Sequence, residues 1–159
     1  MQNKIEKLIS NGKLEEAMDL IGSLGETGDQ SNVEFLLSLL NTTKSHALRN
    51  EIAIALKDIG DNRAVYPLLE ALQNPENIKS RGTLLYALED MDYKPFIEMI
   101  VPLIGDTNFE VSRHSFLLLE KLANELNEQQ KIRCKESIIQ CKALNTNGMF
   151  DEALDLLNS

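Results

Sequence analysis

Apolar residues along this chain recur three and four positions apart, in short blocks that alternate with longer ones. Phe35, Leu36, Leu39 and Leu40 form one short block, and Val65, Leu68, Leu69 and Leu72 another. That spacing gathers side chains on one face of an α-helix. Each short block precedes a longer one: Leu48, Ile52, Ala55, Leu56 and Ile59, then Leu84, Leu85, Leu88 and Met91. Polar breaks at residues 41–45 and 73–77 separate short from long, so each pair reads as a helical hairpin. Gly60 supplies a C-terminal stop for the first long helix, and Asp61 an N-cap for the helix after it.

The hairpins repeat. Moving the segment 32–61 forward by 32 residues, twice, aligns Leu36, Leu68 and Ile100, then Leu37, Leu69 and Val101, then Leu40, Leu72 and Ile104. Arg49, Arg81 and Arg113 fall in one column, and Ile52, Leu84 and Phe116 in another. A hairpin of this size cannot bury its apolar faces alone and must stack on its neighbours. In the third copy two registers compete. Keeping Arg113 in its column puts Glu120 where a core Leu belongs. Sliding back by one puts Leu119 and Leu122 in the core but Ser112 in the arginine column. Burial outweighs a single hydrogen bond, which leans toward the second.

Leu48-Arg49-Asn50-Glu51-Ile52-Ala53-Ile54-Ala55-Leu56-Lys57-Asp58-Ile59-Gly60-Asp61, continuing into Ala64-Val65-Tyr66-Pro67-Leu68-Leu69, resembles the HEAT-like repeat of the bilin-lyase type. The resemblance weakens in the next copy, where Arg81 follows Ser80 and Asp92 replaces the closing Gly. It implies an all-α fold, a right-handed α-α superhelix (a HEAT-like α-solenoid) of about five antiparallel hairpins. It also implies a structural role for Arg49, Arg81 and Arg113, each tying one repeat to the next through a carboxylate or carbonyl, with Asp58, Asp61 and Asp90 as candidate partners.

The two ends resemble each other. Residues 11–23 and 147–159 share seven of thirteen positions, each a short amphipathic helix behind a Gly turn. Both look similar to a tetratricopeptide-type helix pair. The chain therefore reads as one α-solenoid domain over 1–159: a helix-pair cap at 1–31, three HEAT-like repeats over 32–126, and a second cap at 127–159. Gly22, Gly25 and Gly28 read as a flexible link. Pro95 suits the first turn of a helix, while Pro67 and Pro102 lie deeper and Pro102 should kink its helix after Glu98.

The net charge is −9, and carboxylates exceed cations in both caps and between them, so the acidity is no tail. That opposes binding to nucleic acid or to anionic lipid and favours a basic protein partner. No run approaches the roughly 18 apolar residues of a membrane span. Cys134 and Cys141 lie seven apart on a helix, which puts their Cα atoms about 10 Å apart, too far for a disulfide. Free thiols and the polar start of the chain point to the cytoplasm. No phosphate-binding glycine loop, nucleophile elbow or metal-type spacing occurs, and the two histidines, His46 and His114, occupy different columns. No catalytic residue, metal site or cofactor is expected.

One face invites a functional reading. Opposite the packed side of the second helices lie Asn50, Ile54 and Lys57, a period later Gly82, Tyr86 and Glu89, and in the third copy His114, Leu118 and Lys121, with Leu117 replacing Leu118 if the register slips. Ile54, Tyr86 and Leu118 are apolar where the repeat does not require it. Second helices line the concave wall of such a stack, and apolar residues framed by polar ones characterise binding sites. The expectation is a non-catalytic scaffold that holds a protein on this stripe. Two narrower roles are a toxin-neutralising immunity protein and, from the resemblance alone, bilin-lyase-like chromophore handling. The similar ends also allow self-association.

Overall fold

In the computed structural model, which describes residues 1–144 and 149–159, every regular element is helical and no strand occurs among the described residues. They gather into two compact units, residues 1–92 and 93–159. The architecture is an all-α solenoid of stacked hairpins.

The first unit holds α1 (Gln2–Ser10), α2 (Leu14–Glu26), α3 (Val33–Thr42), α4 (His46–Ile59), α5 (Val65–Gln73) and α6 (Arg81–Ala87). Each odd helix packs on the even helix after it; α2 then packs on α4, α4 on α6, and α3 on α5. The predicted apolar columns form the core: Leu36, Leu40, Ile52, Leu56, Leu68, Leu72, Leu84 and Leu85 are all buried. Each such side chain contributes about 1.5–3 kcal/mol by leaving water. Ser45 caps α4 by accepting from the Leu48 N–H. Gly60 closes the helix at φ +70°, a left-handed conformation that glycine adopts without penalty.

Three expectations for this unit are corrected. Gly22 and Gly25 are no flexible link but lie inside α2, where Gly25 lets the α4 backbone approach closely and Gly22 leaves room for the Glu51 carboxylate. A Cβ on Gly25 would stand 2.8 Å from the Cα of Ala55, and one on Gly22 would stand 2.7 Å from Glu51 Oε1. Pro67 is not deep in a helix, because residues Asn62–Ala64 wind as a 3-10 turn and Pro67 falls in the first turn of α5. The second helix of the next copy is the shorter of its pair rather than the longer, since α6 ends at Ala87 and leaves Leu88 and Met91 beyond it. Pro75–Ser80 form a 3-10 segment capped by Asn74, and the Asn77 amide reaches back to donate to the Ala71 carbonyl at 2.9 Å.

The second unit holds α7 (Ile97–Ile100), α8 (Phe109–Leu122), α9 (Glu128–Leu144) and α10 (Phe150–Asn158). Pro95 stands in the 3-10 turn Lys94–Phe96 that leads into α7. Pro102 acts as expected: the α-helix stops at Ile100 and continues as the 3-10 segment Val101–Gly105. The third copy takes the slipped register. Ser112 is buried with its hydroxyl donating to the Ile104 carbonyl at 2.5 Å, Leu119 is buried, Leu122 is only half-buried, and Arg113 and Glu120 face outward. Cys134 is buried and Cys141 half-buried, both as free thiols, and burial raises the Cys134 pKa to about 11. The likeness of the ends extends to packing, since Ala17 and Ile21 in α2, and Ala153 and Leu157 in α10, are buried alike. Asn147 and Gly148 of that repeated motif lie outside the described residues.

The contact between α2 and α4 generates two predictions. Gly25→Val drives a branched side chain into the α4 backbone and should cost about 1–3 kcal/mol, read as a lower urea midpoint. Glu51, half-buried over Gly22, has its pKa raised by burial first and by Asp58 and Asp19 next. The folded state thus holds the Glu51 proton more tightly than the unfolded chain does. Its ionisation destabilises the fold as pH rises through this window, and the penalty is complete above the folded pKa. Glu51→Gln should therefore raise the urea midpoint at neutral pH, and the gain should vanish below the ordinary value of 4.5.

Candidate functional site

The face to be tested is built on α4 and α6, which lie side by side. Asn50, Ile54 and Lys57 follow one another at helical spacing along α4. Gly82 and Tyr86 do so along α6, and Glu89 continues past its end. Tyr86 is 42% exposed, while Ile54 and Lys57 are half-buried. Tyr86 is therefore the aromatic group that this face presents to solvent.

Its ring is held from below. The Lys57 ammonium lies 4.8 Å from the Tyr86 centroid, within range of a cation–π attraction. The same ammonium donates to Asp90 Oδ2 at 2.6 Å. The Lys57 side chain is only 13% exposed, whereas Asp90 is 61% exposed and the Tyr86 ring 42%, so the ammonium is covered while its partners face solvent. The hydrogen bond to Asp90 is the main cause that raises the Lys57 pKa, against an opposing effect of burial. The charge is thus fixed below the ring. An anchor with few free rotamers loses little entropy on binding, which is what makes an aromatic side chain effective at an interface. Asn50 adds a polar feature to the same face: its Oδ1 is buried and accepts no hydrogen bond.

The third-copy positions of the stripe fare differently. Leu118 is 3% exposed and belongs to the core of the second unit, where its carbonyl accepts from the buried Tyr93 hydroxyl at 2.8 Å. The one-residue slip that buries Ser112 also turns Leu118 inward, and Leu117, 40% exposed, is the apolar residue facing out. His114 is half-buried and Lys121 exposed.

The arginine column also divides. Arg49 is 5% exposed, and its Nη2 donates to the Thr43 carbonyl at 2.7 Å. It therefore ties down the turn before its own helix rather than the neighbouring repeat. Of the three carboxylates proposed as partners of the column, Asp61 binds Arg63 and Asp90 binds Lys57, and Asp58 is exposed. Arg81 is half-buried and Arg113 exposed. The role of Asp90 was missed from sequence, although a signal existed. It lies 33 residues after Lys57, one period plus one, which is the offset of a neighbouring column on the stacked helix.

No group of three or more His, Cys, Asp or Glu side chains among the described residues is arranged to hold a metal ion. No described helix is long and apolar enough to cross a membrane. Among known proteins, residues 6–89 match the family model described as HEAT repeats, a span that runs from within α1 to just beyond α6. Comparison with curated proteins gives no match.

The Lys57–Tyr86 contact should be measurable by itself. A double-mutant cycle of Lys57→Met and Tyr86→Leu should give a coupling of about 0.5–1 kcal/mol in urea unfolding. A coupling below about 0.2 kcal/mol would mean that the ring is not held by the charge.

Proposed function

This chain belongs to the HEAT-repeat family, and from that premise we infer that it is a non-catalytic scaffold that binds a partner protein on the face formed by α4 and α6. The observation that carries this reading is the exposed Tyr86 ring above the Lys57–Asp90 pair. Stacking alone does not require an aromatic residue at that position, since the repeat's own apolar columns are satisfied by Leu84 and Leu85, both fully buried. Ile54 widens the apolar patch on one side, while the exposed Glu89 gives it a polar edge. A small apolar centre with a polar rim is the usual anatomy of a protein interface.

The charge indicates the kind of partner. With a net charge of −9, a basic protein would be drawn toward this surface, and its association would slow as salt rises. The toxin-neutralising role is the specific form of this reading that such charge favours, because an acidic scaffold would meet a basic toxin. The similar ends support self-association as a separate property of the chain.

The test is capture of a partner from lysate of the source cell on immobilised protein, with Tyr86→Ala compared against wild type at low and high salt. Tyr86→Ala should keep its helical circular dichroism and unfold cooperatively, with stability lowered by no more than the roughly 1 kcal/mol of the lost Lys57 contact. It should lose about 2 kcal/mol of partner affinity, roughly thirtyfold. Retention of a stoichiometric partner at unchanged affinity by a folded Tyr86→Ala protein would end this assignment of the face.

A further inference from the structure

Elsewhere in the first unit, Arg49 occupies an unusual place. Its guanidinium is buried, and five N–H donors have to be satisfied there. The Thr43 carbonyl takes one of them, on Nη2. The Nε is also buried and has no hydrogen-bond partner. Among the described residues, no carboxylate forms an ion pair with it. Glu76 is near enough to be felt electrostatically but pairs with Lys44 at 3.4 Å, out in solvent. A buried charge left this incompletely paired is costly, and such sites ordinarily contain a counter-ion or ordered water.

Arg49 also lines a cavity of about 170 Å³ between the turn before α4, the end of α5 and the 3-10 segment Pro75–Ser80. On the same measure one water needs roughly 10–15 Å³, so the space exceeds that of a single bridging solvent molecule. The inner wall is built from buried groups: Arg49 itself, Leu40, Ala71 and Asn77. The charged side chains around it, Lys44, Glu70 and Glu76, are exposed. The buried wall therefore carries a cation without an ion-pair partner, whereas the solvated rim carries both signs.

We propose that this cavity is a carboxylate-binding site in which the Arg49 guanidinium receives a single carboxylate group and Lys44 adds a second positive charge at the mouth. The planar fork of arginine matches a carboxylate in two parallel hydrogen bonds. Glu70 and Glu76 set the selectivity. They are too solvated to cancel the charge of the buried cation for a singly charged group, yet they oppose a phosphate or sulfate carrying more charge. This site is independent of the Tyr86 face.

The experiment uses the whole chain with ¹⁵N-labelled arginine. The Arg49 Nε–H resonance, assigned by its loss in Arg49→Lys, is followed while acetate replaces chloride at constant ionic strength. Acetate should shift the resonance saturably and, at about tenfold excess over its Kd, raise the melting temperature. Glu76→Gln, which keeps Arg49 and removes a like charge from the rim, should tighten acetate binding several-fold. Tyr86→Ala should leave the response unchanged, which separates this site from the protein-binding face. Triglycine with a free C-terminus, compared with its amide, identifies the source. Tighter saturation that is lost on amidation assigns the site to a chain end, and saturation by acetate alone assigns it to a small free acid. Two results would overturn the proposal: no saturable shift with acetate or triglycine, or equal or tighter saturation by phosphate.

Discussion

A hairpin of two short helices has an apolar face that its own partner helix covers and a second that it leaves open, and the packing of this molecule depends on covering that second face. The even-numbered helices of the first unit meet the requirement in turn. α4 is packed by α3 from its own hairpin, by α2 before it and by α6 after it. Burial on three sides explains why Ile52, Ala53, Ala55 and Leu56 are all inaccessible to water. It also explains Gly25 of α2. Where Gly25 faces Ala55, the backbones approach more closely than any Cβ would allow. The helical propensity lost at glycine, about 1 kcal/mol, is offset by the dispersion attraction between the two closely packed backbones.

Close stacking leaves little room for polar groups, and the protein treats each one differently. Ser112 turns inward and satisfies itself on a backbone carbonyl. Asn77 does the same and thereby shapes the 3-10 segment ahead of α6. Cys134 remains a protonated thiol because burial disfavours its thiolate. Glu51 carries a charge that burial and neighbouring carboxylates both disfavour. Arg49 is the extreme case, a cation held within the stack by one carbonyl and bordered by a cavity. The same tight stack produces both the stability of the apolar columns and the unmet demand at Arg49.

The outward faces of α4 and α6 show how a repeat acquires a specific surface. The period of the chain brings corresponding positions of successive hairpins alongside one another, so residues about one period apart become neighbours. Lys57, Tyr86 and Asp90 meet in this way, and the resulting ammonium–ring–carboxylate arrangement holds an aromatic side chain in place. Side chains at such positions are free of the packing constraint that fixes the columns behind them.

Much of this was legible in the residues alone. Helical spacing of Leu and Ile identified the helices of the first unit and their buried faces, because the period of an α-helix is local and few residues suffice to reveal it. The 32-residue period identified the stacking, and Tyr86 stood out because its column does not require an apolar group. What the sequence left open was decided by contacts between elements. Whether Gly22 and Gly25 loosened the chain or let two helices meet depended on the helix lying opposite. Whether Leu118 or Leu117 faced outward depended on a one-residue register that only the packing of Ser112 and Leu119 resolves. The partners of Arg49, Lys57 and Asp90 depended on side-chain reach across a stack, which the period brings into range without choosing among neighbours. Local periodicity is written along the chain, but the pairing of polar groups is a property of the packed interior, where each donor takes whichever acceptor the assembled backbone places within about 3 Å.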